Sequence, residues 1–234
     1  MPQTALQLCP VGDRAVLAAW EQRIDPAIGA QVAALNAAVL AAALPGVTET
    51  VPAFASLLIQ LDPLRTDPET VQHAVQDLWQ RLPGEAAAES GKLVEIPVCY
   101  GGDYGPDLAF VAQHAGLSEQ EVIARHTGRD YRIYMLGFLP GFPYLGGLDE
   151  ALFCPRLDTP RTCIPAGAVG IGGEQTGIYP MQSPGGWRLI GRTPLCLFAP
   201  GRPLPYAAGD RIRFVAITPQ QFEELAARQG EGCP

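Results

Sequence analysis

Lysine is nearly missing from this sequence: Lys92 is the only one among 16 basic residues. The glycine-rich stretch GIGGEQTG at residues 170–177 therefore cannot be a P-loop, which ends in a lysine and a hydroxyl residue. Nor does it open a predicted helix, so a dinucleotide fingerprint is excluded as well. Two readings remain for it, a glycine-packed strand corner and a turn that exposes Glu174, Gln175 and Thr176. Histidine is scarce too. His73, His114 and His126 fall on separate predicted helices without HxxxH or HxH spacing, so no metal site is expected. Surface or helix-packing roles suit them, and a cation at His126 would be favoured by the end of its helix. The six cysteines form no CxxC pair and are expected as buried free thiols in a reducing compartment. No apolar run reaches the ~18–20 residues that span a bilayer. Residues 1–10 lack a basic region followed by an apolar core, so a cytoplasmic protein is expected. Acidic residues outnumber basic ones, for a net charge of −8, which argues against nucleic acid and anionic membranes as partners.

What is present is ordinary core material, 47% apolar residues in a chain of 234, enough for one large or two modest domains. The first part reads as β-β-α-β-β-α. Short strands at residues 6–8 and 15–18 flank a turn at Gly12-Asp13, and strands at 47–51 and 56–61 form a second pair. Asp25-Pro26 and Asp67-Pro68 each set an N-cap ahead of a first-turn proline. The helices they open carry Ile28, Val32, Leu35, Val39 and Leu40, and Val71, Val75, Leu78 and Leu82, at helical spacing. Two helices on one face of an antiparallel sheet follow. Residues 83–91, PGEAAAESG, read as a linker. Beyond it come a strand at 93–98 and helices at 106–115 and 118–126, the second with the capping-box pair Ser118 and Glu121. Short strands are then expected at 131–138, 163–164, 169–171, 187–190, 195–198 and 211–217, with a terminal helix at 219–228. Short strands between glycine and proline turns suggest a closed or nearly closed barrel.

Residues 137–205 hold 13 of the 26 glycines and 11 of the 23 prolines. They read as shaped loops on a β scaffold, where sites usually sit. Set into them are Arg156, Arg161, Arg188, Arg192 and Arg202. A guanidinium in a stiff loop binds a carboxylate or phosphate through two parallel hydrogen bonds, or else ties loops together through backbone carbonyls. Ser183 lies in QSPG rather than a GxSxG elbow and has no histidine near it in sequence, so it is not expected to be a nucleophile. Its hydroxyl is available to a ligand or to the turn. The apolar run GFLPGFPYLGGL at 137–148 reads either as a loop folded over its own core or as an interface patch.

The motifs GFLPGFPYL at 137–145, PR at 155–156 and 160–161, IPAG at 164–167, QTGIYP at 175–180, SPGGW at 183–187 and IGRTP at 190–194 resemble, in order and spacing, the family called allophanate hydrolase subunit 1. That family includes the B-type component of 5-oxoprolinase and a sporulation histidine-kinase inhibitor, and the resemblance covers nearly the whole chain. It departs modestly from the family at Ala168, often serine there. The resemblance implies an α+β fold, a small N-terminal α+β sandwich domain (1–84) followed by a C-terminal cyclophilin-like β-barrel (85–234). It implies one component of an ATP-dependent 5-oxoprolinase that cleaves 5-oxoproline to glutamate and is incomplete alone. Implied partners are two further subunits, a C-type sister and an A-type lactam-processing component, with ATP and Mg bound by the complex. Alternatives within the family are inhibition of a sensor histidine kinase and a urea-pathway role. On this basis Arg156, Arg161 and Arg192 are expected to position anionic groups. Gln175, Thr176, Tyr179 and Ser183 would offer neutral hydrogen bonds, and Gly185, Gly186 and Trp187 would form the turn that places them. No residue is assigned a catalytic role. Arg161→Ala is expected to abolish turnover with the fold intact.

Overall fold

The computed structural model describes residues 5–82 and 91–229. The chain divides into two compact units, residues 1–90 and 91–234. Apart from Gly91, the stretch read as a linker lies outside the described residues.

The first unit is an antiparallel sheet of β1 (Gln7–Val11), β2 (Ala15–Ala19), β3 (Val47–Pro52) and β4 (Ser56–Leu61), in spatial order β1-β2-β4-β3. Period-two alternation turns Leu57, Ile59 and Leu61 of β4 to one face, joined by Val16 and Ala18 of β2. Two helices, α1 (Pro26–Ala42) and α2 (Pro68–Arg81), cover that face with Ile28, Val32, Leu35 and Val39, and with Val71, Val75 and Trp79. Each starts as its sequence dictates. Asp25 accepts the Ala27 amide at 2.7 Å, and Asp67 accepts the Thr70 amide at 2.9 Å. Trp20 and Trp79 close the core edge to face, with centroids 5.5 Å apart.

The second unit is a closed barrel of seven strands. These are β5 (Leu93–Tyr100), β6 (Asp130–Leu136), β7 (Pro143–Gly146), β9 (Ala168–Gly172), β10 (Gln175–Ile178), β12 (Arg188–Arg192) and β13 (Arg211–Ala216), in the order β10-β7-β6-β13-β5-β12-β9. Only β5 and β13 run parallel; the other neighbours are antiparallel. Inside lie Ile96, Val98, Ile133, Leu145, Ile171, Ile190 and Phe214. Three helices pack against barrel strands: α3 (Leu108–Ala115) meets β12, α4 (Glu119–Thr127) meets β13 and α5 (Pro219–Gln229) meets β5. The two remaining strands, β8 (Arg161–Ile164) and β11 (Ser183–Gly185), pair only with each other as a separate ribbon. Among the described residues no helix is long and apolar enough to cross a membrane.

The expected strand at 195–198 is absent. Both edges that could accept it are occupied, because β12 already pairs with β5 and β9, and a closed barrel offers no free edge. Leu197 is buried all the same, as loop packed on the barrel core. Conversely, β7, β10 and β11 are not expected from their glycine- and proline-rich sequences; they form because the register of neighbouring strands recruits them. The cysteine expectation holds only in part. Cys99 and Cys154 are buried free thiols, but Cys9 and Cys163 are exposed.

Gly167 holds the turn between β8 and β9 at φ +82°, and its amide donates to the Tyr179 carbonyl at 2.7 Å. A Cβ there would fall 2.3 Å from the Thr193 carbonyl oxygen. Gly167→Ala should destabilise the second unit by about 2–3 kcal/mol, read as a lowered midpoint in denaturant unfolding; an unchanged midpoint would contradict this account of the turn.

Candidate functional site

The β6–β7 connection is a tight turn. Its amides bond within it, Leu139 to the Gly137 carbonyl at 2.7 Å and Phe142 to the Leu139 carbonyl at 3.0 Å. Closing it puts Phe138 at φ +64°, a costly conformation for a bulky residue, and leaves the residue 60% exposed. Beneath it Phe142 is buried and meets Tyr179 and Trp187 edge to face, with centroids 5.2 and 5.5 Å away, and Tyr144 at 5.0 Å. These rings, with Phe138, Arg156, Pro160, Pro184, Gly185 and Gly186, enclose a cavity of about 290 Å³. The Arg156 guanidinium stands 5.7 Å from the Trp187 ring centroid, a cation–π distance. Burial raises the Tyr144 and Tyr179 phenols above their ordinary value, and the Arg156 charge only partly offsets it. Both therefore stay protonated at neutral pH and act as hydrogen-bonding groups rather than bases. The arrangement suits a small flat or cyclic molecule carrying one anionic group.

The structure does not bring the three expected arginines to one cavity. Arg156 lines it. Arg161 uses Nη2 to bond Asp107 at 2.9 Å, while its Nη1 is buried without a partner. Arg192 is a loop tie: Nε donates to the Ala166 carbonyl at 2.9 Å, and the guanidinium lies 6.0 Å from the Phe222 ring centroid. Arg188 is another, donating to the Pro155 carbonyl at 3.3 Å over the face of Phe110. Tyr179, Gly185, Gly186 and Trp187 line the cavity. Ser183 is buried behind them, its Oγ without a partner. Gln175, half-buried, begins β10 after the hairpin turn. Thr176 is not exposed by that turn but wholly buried in the barrel, since β10 points it inward.

Thr176 belongs to a polar network of its own. Its Oγ1 donates to the Gly170 carbonyl at 3.0 Å and lies 2.9 Å from His126 Nε2. The hydroxyl has one proton, already given to Gly170, so His126 Nε2 must donate. Nδ1 then accepts from the Tyr100 hydroxyl at 2.8 Å. The imidazole is completely buried and stacks on Phe214 at 4.5 Å. It is thus neither a surface group nor a helix-end cation, and burial pushes its pKa down to about 3. The network plays a structural part.

Sequence reasoning missed Asp107 as a site residue. It stands at the N-cap position of α3, but its side chain caps nothing; one oxygen holds Arg161 and the other accepts the Leu189 amide at 2.7 Å. The one signal was an aspartate at a helix start after Gly105-Pro106. Arg161→Ala would leave this nearly buried carboxylate without its cation, so that variant cannot be assumed to keep the fold. The glycine-rich 170–177 stretch is the β9–β10 hairpin and presents no helix N-terminus.

Over residues 6–208 the sequence matches the family model described as carboxyltransferase domain, subdomain C and D. It is 42% identical over 232 residues to the 5-oxoprolinase B subunit of Bacillus subtilis (strain 168), covering 92% of this chain and 95% of that protein. To the 5-oxoprolinase B subunit of Escherichia coli O157:H7 it is 46% identical over 178 residues, 74% of this chain and 79% of the other. A putative urea carboxylase of Emericella nidulans is 27% identical over 53% of this chain, which spans 11% of that protein. Among solved structures, TTHA0988 superposes with a TM-score of 0.76 at 38% identity, covering 88% of this chain but 40% of its own. The K. lactis urea amidolyase superposes at 0.80 over 97% of this chain and 16% of its own, with 20% identity, a likeness of fold alone.

Because His126 titrates near 3 when folded and near its ordinary 6.5 when unfolded, the unfolded chain binds one more proton between those values. The stability it confers is full above pH 6.5 and falls by about 1.4 kcal/mol per unit as pH drops below that. The carboxylates whose values are lowered by backbone amides, Asp25, Asp67, Glu121 and Asp149, contribute a pH dependence only below about pH 4.5. Unfolding of the second unit between pH 6.5 and 5 should show this slope, and His126→Gln should flatten it. Parallel slopes for the two proteins would refute the assignment.

Proposed function

This chain belongs to the family of carboxyltransferase domains with subdomains C and D, and from that membership we propose that it acts as the B-type subunit of a 5-oxoprolinase, opening the lactam of 5-oxoproline to glutamate together with partner subunits. The relation to two named B subunits over most of the chain carries this reading. The cavity supports it: aromatic edges suit a five-membered ring, Arg156 suits its carboxylate, and the Tyr144 and Tyr179 phenols supply hydrogen bonds. Among the described residues no side chain pairs a nucleophile with a base at the cavity, so the chain works as one component of the hydrolase and not alone. Among the described residues the glycine-rich 170–177 stretch does not fit ATP. The glycine-rich stretch is a hairpin without lysine, and no phosphate cradle is built on it. ATP and its Mg are therefore assigned to the assembled complex, whose other members are a C-type sister and an A-type lactam-processing component. Availability of ATP puts the complex in the cytoplasm. A second reading, urea-type carboxyl transfer, draws on the urea carboxylase likeness, which is weaker and covers about half the chain.

Co-expression with the genes for the neighbouring subunits should yield a complex that releases glutamate from 5-oxoproline only when ATP is present, with this chain alone inactive. Carboxylation of urea by the complex, or recovery of a histidine kinase in place of sister subunits, would overturn the reading. Within such a complex Phe138→Gly removes the rim ring and relieves its left-handed backbone. KM for 5-oxoproline should rise several-fold while stability changes by no more than about 1 kcal/mol. An unchanged KM would take Phe138 out of the site.

A further inference from the structure

The glycine-rich stretch leaves one face of the β9–β10 hairpin bare. Gly170 pairs with Gly177 and Gly172 with Gln175, while Val169 pairs with Ile178 and Ile171 with Thr176. Strand alternation turns the second set to one face, where all four are buried. Gly170, Gly172 and Gly177 take the other face, and Trp187 lies on it. Arg188 pairs with Ile171 and Leu189 with Gly170, so Trp187, one step before β12, falls opposite Gly172. A Cβ on Gly172 would stand 2.6 Å from both Cδ1 and Nε1 of the indole and 2.7 Å from Cε2. Nearly equal distances to three consecutive ring atoms put that Cβ above the ring plane, not at its edge. The indole therefore lies flat on the backbone of β9. It reaches on to β10, where a Cβ on Gly177 would meet Cζ3 of the same ring at 3.0 Å; one on Gly170 would lie 3.2 Å from Trp187 Cβ. The opposite ring face belongs to the cavity. Arg156, a cavity residue, stands over the ring 5.7 Å from its centroid, and only the face that the hairpin leaves free can receive it. Trp187 lines the cavity, whereas the three glycines lie beneath the ring and do not.

We propose that Gly172, supported by Gly170 and Gly177, is a positioning residue for the cavity: the bare hairpin face is a bed whose height fixes how far the Trp187 indole stands into the space where the ligand's ring would lie. Any side chain at position 172 must lift that ring. Carbon atoms pack at about 3.5 Å, so a single methyl displaces the indole by roughly 1 Å. Sideways movement is blocked, because Phe142, Tyr144 and Tyr179 meet the indole edge to face with centroids 5.5, 6.3 and 6.5 Å away, and a close-packed cluster has no slack to give. The cavity is the open side. Lifting the indole narrows that space and closes the gap to Arg156, so that ring and acid group of a bound lactam no longer fit together. The stretch thereby gains a role that neither a phosphate cradle nor a turn supplies. Of its four glycines only Gly173, at φ +66° with open space around it, serves the turn. The inference deepens the 5-oxoproline reading and rests on it for the ligand, though not for the seating of the indole.

The test compares Gly172→Ala in the native chain and in a Trp187→Leu background, each assembled with its partner subunits. With the indole present, KM for 5-oxoproline should rise about tenfold while kcat stays within about twofold. With Trp187→Leu, which puts no ring over residue 172, the same change should move KM by less than about twofold. A second measurement needs no turnover. The emission that Trp187→Leu removes from the full chain is that of Trp187. In the Gly172→Ala protein this emission should be quenched more steeply by acrylamide, because the ring is raised into the open cavity. If Gly172→Ala fails to fold, Gly170→Ala, whose methyl meets the same side chain at 3.2 Å, should give the same changes at smaller size. Equal KM effects in the two backgrounds, a loss confined to kcat, or unchanged KM with unchanged quenching overturns the positioning role. These outcomes are separable from the function. A complex that cleaves 5-oxoproline while the glycine variant changes neither KM nor quenching keeps the function and loses the bed. Steeper quenching of Trp187 in a complex without lactamase activity does the reverse.

Discussion

Asp107 is the constraint on which the site depends. The seven-strand barrel is closed, so it has no backbone edge to lend to the β8–β11 ribbon. Yet that ribbon and its flanks supply Pro160, Pro184 and Gly185 to the cavity. Side chains and loop amides must hold it instead. Asp107 does this most directly, joining Arg161 on the ribbon to the Leu189 amide on the barrel strand. Arg188 of the barrel strand β12 on the Pro155 carbonyl is a further stitch, and the Leu157 amide on the Gly186 carbonyl, at 2.7 Å, ties the ribbon's own flanks together. A charge-assisted bond from a carboxylate with 10% side-chain exposure is strong when made and costly when half broken. The ribbon is thereby fixed without becoming part of the barrel.

The cavity follows from that attachment. Phe142, Tyr144 and Tyr179 come from barrel strands or their turns, while Arg156, Pro160 and Gly185 come from the ribbon side. Trp187, on the turn between ribbon and barrel strand, bridges the two. Edge-to-face contacts among the rings give a rigid wall with hydrogen-bonding hydroxyls and no ionised base. Phe138, exposed at the rim on a left-handed backbone, is where local strain is retained. Strain of this kind persists only where neighbouring structure enforces it, here the bonds of the turn and the buried Phe142 on its far side.

The barrel interior works differently. His126, Thr176 and Tyr100 satisfy one another in a directed chain ending on the Gly170 carbonyl. Each proton has one place to go, which is how a polar cluster is tolerated among Ile133, Ile171 and Phe214. The same burial that keeps the imidazole neutral removes it from acid–base chemistry at neutral pH. Thr176 and Tyr179, three residues apart and both candidates by sequence, thus part ways: one closes the core network and the other lines the cavity.

Much of the first unit was legible residue by residue. Asp25-Pro26 and Asp67-Pro68 start helices because capping is local, and Leu57, Ile59 and Leu61 face the core because strand periodicity is local. The turn-rich 137–205 region could be read as a scaffold for a site for the same reason. Which strands would join the barrel was not legible, since Gln175 to Ile178 is held between its hairpin neighbour β9 and the distant β7, while residues 195–198, better strand formers, find no edge left. Nor could the sequence sort its arginines. Arg156, Arg161 and Arg192 have similar loop settings, and only the fold decides whether a guanidinium meets a ring, the carboxylate of Asp107 or the carbonyl of Ala166. Local chemistry determined the elements and the pool of candidates; the meeting of residues tens of positions apart, which no local rule encodes, decided which of them face the cavity.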